Sequence, residues 1–164
     1  ANSAILVQIP RSDFDQGHPL DGFQFQKKLE QLGYHEGFVA PAQNIEDYLN
    51  RTPSDKLVIQ TSYPRSTFMQ DMHAFFSDEV NQAMEEGMKQ FDKKIHGWIE
   101  NGIMVGLETR SSSPIKILRN DDGNSSTIQG LYPCGEGAGY AGGIVSSAVD
   151  GIKQAENYIA HLNR

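Results

Sequence analysis

Between residues 77 and 100 the apolar positions Val80, Met84, Met88, Phe91, Ile95 and Trp98 recur every three or four residues, the stripe of an amphipathic helix. Gly87 interrupts the stripe and is a point where it can divide into two helices; Asn101-Gly102 ends it. A second helical pattern runs from Ile144 to Leu162, with Ile144, Val145, Ala148, Ile152, Ala155 and Ile159 on one side. A third is predicted from Asp21 to Gly33. Asp21 is a cap, Gln24 is the second half of a capping box, Phe25, Leu29 and Leu32 share a face, and Gly33 is a stop. Asn44 is a cap for a short helix through Ile45 and Leu49.

The strand signals are short. Ala4–Ile9 is a nearly continuous apolar run closed by Pro10 and reads as a buried strand. Leu57-Val-Ile59 is a short strand or extended segment, and Ile103–Leu107 is a strand. Residues 115–118 and 126–128 flank the turn cluster Asp121-Asp-Gly-Asn124 as a hairpin would. Leu131–Cys134 is a further apolar segment, and residues 11–20 and 33–43 read as irregular. The fold class is α+β, short strands with three or four main helices, and a boundary near residue 103 separates a helix-rich part from a strand–loop–helix tail.

Five glycines fall between Gly135 and Gly143, directly before the last helix. A strand, a glycine loop and a helix present bare backbone N–H groups to an anion, so a nucleotide or phosphate-bearing cofactor is the first hypothesis. Gly137-Ala-Gly-Tyr-Ala-Gly142 matches G-x-G-x-x-G literally. The opening turn of a Rossmann fold needs a second parallel strand after its helix, with an acidic residue about 20 positions on. That count lands at Leu162, two residues before the last. The loop therefore reads either as one that closes a site built elsewhere or as a purely structural turn.

Composition narrows the classes. At 164 residues with 38% hydrophobic and 21% charged residues, the chain fits one domain or one and a half. A net charge of −7 opposes nucleic-acid binding, which runs on Lys and Arg, and supplies no polybasic membrane patch. Cys134 is the only cysteine, so no internal disulfide is possible, which suits a reducing cytosol. No apolar stretch approaches the length of a membrane span. The opening on Ala1, straight into a strand pattern, suggests a fragment of a longer protein.

Candidate chemistry centres on the tail. Glu136 inside the glycine loop is either a loop-stabilising acceptor or a ligand for sugar hydroxyls, since carboxylates accept without competing donors. The helix start at Gly142, Gly143 and Ile144 carries a partial positive charge that suits a pyrophosphate or an anionic flavin ring; close helix packing would also select small residues there. In Glu108-Thr-Arg-Ser-Ser-Ser-Pro114, Arg110 offers a planar fork to an anionic substrate, with Ser111 and Ser112 beside it, and the competing reading is a solvated turn. The five histidines show no metal-ligand spacing, so no metal site is expected. Gly143-Ile-Val-Ser-Ser147 is not a nucleophile elbow, and Cys134 reads as packed rather than reactive. No side chain stands out as a general acid or base.

Two stretches carry a family resemblance: Gly106-Leu-Glu-Thr-Arg-Ser-Ser-Ser-Pro-Ile-Lys-Ile117, and Gly130 through Ile144 continuing to Ser146-Ser-Ala-Val-Asp-Gly151. Through them, and through Asn2–Ala4, Leu20–Gln26 and Pro41–Gln43, the chain resembles the C-terminal part of uncharacterised bacterial FAD-dependent dehydrogenases, the NAD(FAD)-utilizing dehydrogenase group. The resemblance implies a two-part α/β flavoprotein. Residues 1–104 would be part of an inserted substrate domain, and 105–164 the tail that completes the FAD-binding domain. It implies Glu136 against the ribityl chain, and Gly135, Gly137, Ala138 and Gly139 along the pyrophosphate path. Gly142, Gly143 and Ile144 would donate toward the flavin's pyrimidine edge, and residues 108–114 would lie near the ring or substrate. It also implies FAD as cofactor, NAD(P)H as a possible co-substrate, a cytoplasmic location and a partner: the N-terminal FAD-binding domain, absent from this sequence. Without that domain the 164 residues are expected to bind FAD weakly or not at all. The rival readings are a flavin reductase that does not use NAD(P)H and a non-catalytic interaction module.

Overall fold

The computed structural model describes residues 2–163. Among these are four α-helices and a small mixed sheet of three strands, so the α+β class holds. The chain forms two compact units, residues 2–13 with Lys27–Thr109, and Phe14–Gln26 with residues 110–163. Helix α1 (Asp21–Gly33) begins in the second and ends in the first.

The first unit is built on β1 (Ala40–Asn44), flanked by β2 (Thr67–Met69) running parallel and β3 (Ile103–Val105) running antiparallel. The expectation of irregular chain over residues 33–43 is overturned at this central strand. Ala-Pro-Ala-Gln-Asn is poor in β-branched and aromatic residues, yet all five residues are buried. Pro41 keeps its carbonyl in the ladder just past the end of β3, where Gly106 N–H donates to it (3.1 Å), and the N–H that proline lacks costs the pair its return bond. The two buried amides are fully employed, Gln43 donating to Thr52 O (2.9 Å) and accepting from Met72 N–H (2.9 Å). The Asn44 side chain binds Asp47, Lys56 and Val58 and so holds the 54–58 loop rather than capping α2 (Ile45–Leu49).

Ile45, Tyr48, Met72, Phe75, Met84 and Met88 form the core, with Ile5 and Val7 packed against it. Tyr48 is fully buried and donates to Asn81 Oδ1 (2.8 Å); burial pushes its phenol up to about 12. Its ring stacks at 4.0 Å on His73, whose two nitrogens face Asp71 and Glu85 (both 3.2 Å). Burial raises the Glu85 carboxyl, but hydrogen bonds from His73 and Arg51 outweigh it and leave the group below its ordinary value.

Four local expectations change. Helix α3 (Asp78–Asp92), capped by Ser77, passes through Gly87 without a break and stops at Asp92. There Asp92 Oδ1 accepts from Ile99 N–H (3.0 Å) and folds residues 93–101 into turns. Ala4–Ile9 is extended but pairs with no strand among the described residues; Ile5 and Val7 turn inward and Leu6 stays exposed. In the second unit the hairpin shrinks to one bridge, Arg119 with Ser125. Asp21 opens α1 but accepts from Gln16 N–H (2.7 Å) and His18 N–H (2.9 Å), fastening the preceding loop. Helix α4 spans Ile144–Leu162 as expected. No helix among the described residues is long and apolar enough to cross a membrane.

Candidate functional site

The glycine loop is a fixed turn held from two sides. Leu131–Cys134 leads into it as irregular chain rather than a strand, and Cys134 is exposed, not packed. Arg119 is the clamp. Its guanidinium meets Asp150 of α4 bidentately, Nη1 to Oδ2 at 3.0 Å and Nη2 to Oδ1 at 2.7 Å. The same Nη1 donates to Pro133 O (2.7 Å). The fork lies 3.6 Å over the Tyr140 ring, and Tyr140 Oη accepts the Arg119 backbone N–H (3.1 Å). Asp150 Oδ2 also accepts from Gly135 N–H (2.9 Å). Gln154, in the amide orientation that satisfies both neighbours, accepts from Arg119 and donates to Gly123 O (both 3.2 Å). Planar bidentate pairing is what arginine supplies and lysine does not.

On the other side Ala138 is buried, and its carbonyl accepts Ile117 N–H (3.1 Å). Gly139 sits at φ +80 with Lys116 Cα 3.0 Å from where a Cβ would stand. Ser113 Oγ lies 3.2 Å from Gly137 O and 2.9 Å from Ile115 O, which brings the serine segment to the loop. Ser111 and Ser112 are exposed, and Arg110 lies over the Phe23 ring at 5.3 Å.

This turn divides the loop amides into two sets. Those of Gly135, Gly139, Tyr140 and Gly143 are bonded to protein acceptors, the last to Ser146 Oγ (3.1 Å). Those of Gly137, Gly142 and Ile144 bond no acceptor among the described residues. A Cβ at Gly137 or Gly142 would meet nothing within 4 Å, so these glycines keep backbone accessible rather than relieve a clash. Glu136 is exposed; its carbonyl accepts from Gly139 N–H (2.9 Å), while its carboxylate has no hydrogen-bond partner among the described residues. Free amides beside a free carboxylate and a helix start fit a group carrying phosphate and sugar hydroxyls.

Sequence reading missed Arg119, Tyr140 and Asp150. The available signal was Asp150 itself, a carboxylate two turns into the helix after the apolar and small residues Ile144–Val149. The Arg119 hydrogen bonds, helped by Gly135 N–H, hold the Asp150 carboxyl down at about 2, against 3.8 ordinarily, while Asp150 pushes the Arg119 guanidinium up. A depressed carboxyl stabilises the fold above its unfolded value and loses that contribution as pH falls through its folded value. Loop and α4 stability, followed by amide exchange, is therefore expected to drop between pH 4 and 2 in the native protein. Asp150→Asn should flatten that slope; an unchanged slope would remove the pair from the account.

A family model described as FAD-dependent protein, C-terminal domain-like, matches residues 1–111. The chain belongs to this family. The FAD-dependent protein C-terminal domain match covers the whole of the first unit and ends before the glycine loop. An uncharacterised protein of Clostridium beijerinckii carries the similarity across the loop. It is 42% identical over an aligned stretch of 164 positions that spans 97% of this chain and 31% of that protein. The chain thus spans about a third of the length of that relative.

Proposed function

We propose that this chain is the C-terminal part of an FAD-dependent oxidoreductase of the dehydrogenase type, cytoplasmic and bacterial, that passes hydride between NAD(P)H and a small substrate. In this reading residues up to about 104 contribute to a substrate domain, and residues from about 105 complete the FAD-binding domain. A preceding N-terminal module of the same longer protein holds the ADP half of the cofactor. The observation that carries the reading is the pairing of unbonded amides at Gly137, Gly142 and Ile144 with the exposed carboxylate of Glu136, within a family named for FAD dependence.

Flavin, when bound, supplies the hydride chemistry. The chain's own residues bind and orient. Glu136 accepts from ribityl or ribose hydroxyls, the unbonded amide of Gly137 donates to the phosphate and polyol path, and Gly135, Ala138 and Gly139 line that path with their backbone. Gly142, Gly143 and Ile144 direct the positive end of α4 at the ring's pyrimidine edge. Arg110, Ser111 and Ser112 are proposed for an anionic substrate, with Ser113 tying their segment to the loop.

The test is made on the longer protein. Its purified form should be yellow and should bleach with NADH or NADPH in the absence of air. A yellow protein that neither nucleotide bleaches would make it a flavin enzyme with another electron donor, and a colourless one would leave an interaction module. Glu136→Ala is expected to weaken flavin retention about tenfold or more, the worth of a hydrogen bond to a charged group. Unaltered flavin occupancy would take Glu136 out of the site.

A further inference from the structure

Helix α4 is inside out. Its inward face is polar: Asp150 pairs with Arg119, Gln154 is buried between Arg119 and Gly123, and Ser147 Oγ is buried against Gly135. Its apolar side chains point to solvent, with Ile144 93%, Val145 75%, Ile152 61%, Ile159 56% and Leu162 64% exposed. At 3.6 residues per turn these five, with Ala148 and Ala155 between them, share an arc of about 100° that runs the length of the helix. A surface helix ordinarily buries that stripe, and contiguous exposed apolar surface of this kind marks an interaction site.

We infer that this face of α4 docks against the N-terminal segment of the longer chain, the same segment that the proposed function assigns to the ADP half of FAD. Two observations choose this occupant. The relative that matches through α4 continues for about two thirds of its length outside the match, so a body large enough to cover five helical turns accompanies the same helix there. The stripe also begins at Ile144, next to the unbonded amides of Gly142 and Ile144, so whatever covers it stands at the edge of the cofactor loop. A lipid surface is disfavoured by charge: Lys153 is the helix's only Lys or Arg, against Asp150 and Glu156, whereas interfacial helices carry Lys and Arg on the polar face.

The experiment uses the longer protein with Cys134 and any other native cysteine replaced by serine and a single cysteine introduced by Ile152→Cys or by Lys153→Cys, each reacted with a maleimide. Lys153 is exposed on the helix flank and serves as the open control. The Ile152→Cys thiol should react at least about tenfold more slowly than the Lys153→Cys thiol, as expected where access requires local opening. The protection should be independent of protein concentration, and Ile159→Asp added to Ile152→Cys should abolish it. Equal labelling at the two positions overturns the inference. So does protection that appears only as concentration and native mass rise together, which assigns the face to a second copy. Flavin content is read on the same samples. Protection in a colourless protein keeps the docking and sinks the flavin reading, while fast labelling in a yellow protein does the reverse.

Discussion

Arg119→Ala lowers the local stability of the glycine loop and α4 by about 2–4 kcal/mol, the cost of breaking a mostly buried ion pair from one side. Both partners are little exposed, 16% for the arginine and 14% for the aspartate side chain, so the loss is well above that of a surface pair. Three contacts go together: the double bond to Asp150, the bond to Pro133 O, and the stacking on Tyr140. What remains is a carboxylate with Gly135 N–H as its donor and the charge of Lys153 in place of the guanidinium. Amide exchange across residues 135–147 reads the effect directly, without requiring the two units to unfold together. Arg119→Lys keeps the charge but not the fork or the ring contact, and should recover less than half of the loss. Exchange unchanged in Arg119→Ala would mean that the loop is held by Gly139 and Ser113 alone.

Gly139→Ala is the second large effect. At φ +80 an L-residue is strained, and the new methyl would also run into the Ile115 carbonyl and stand 3.0 Å from Lys116 Cα. Both obstacles are backbone, so no side chain can swing away. The combined cost is expected at about 2–4 kcal/mol, seen as accelerated exchange and proteolysis of the loop. Gly137→Ala is the contrast. It has ordinary φ and open space around its Cβ, so its stability should be unchanged while, in the longer protein, flavin retention falls because the methyl covers the neighbouring amides. If both substitutions spare stability, the turn geometry is not what shapes the loop; if Gly137→Ala spares flavin as well, that amide is not a cofactor contact.

What could be read along the chain was whatever is encoded by local periodicity or punctuation. The stripe beginning at Val80 and the pattern beginning at Ile144 gave α3 and α4, and Asp21 and Gly33 gave α1, because a helix is built from contacts three and four residues apart. The glycine run marked the loop, because positive φ at Gly135 and Gly139 and a close backbone approach at Gly139 are conformations that glycine allows. The match over residues 1–111 agrees with the coarser part of the resemblance, an FAD-dependent protein's C-terminal domain, and ends before the glycine motif.

Tertiary structure decided the rest. Ala40–Asn44 has almost no strand propensity and is a strand because β2 and β3 bring partners to it from 27 and 63 positions away at Ala40↔Thr67 and Ala42↔Val105. Ala4–Ile9 has strong propensity and no ladder among the described residues, because pairing needs a neighbour that propensity cannot supply. The clamp of Arg119 on Asp150 joins positions 31 residues apart, a separation at which no periodic pattern speaks. The last helix shows the division most plainly: its sequence fixed which side is apolar, and only the packing revealed that this side faces outward, since the inward side is held by charge and hydrogen bonds that depend on where the chain returns.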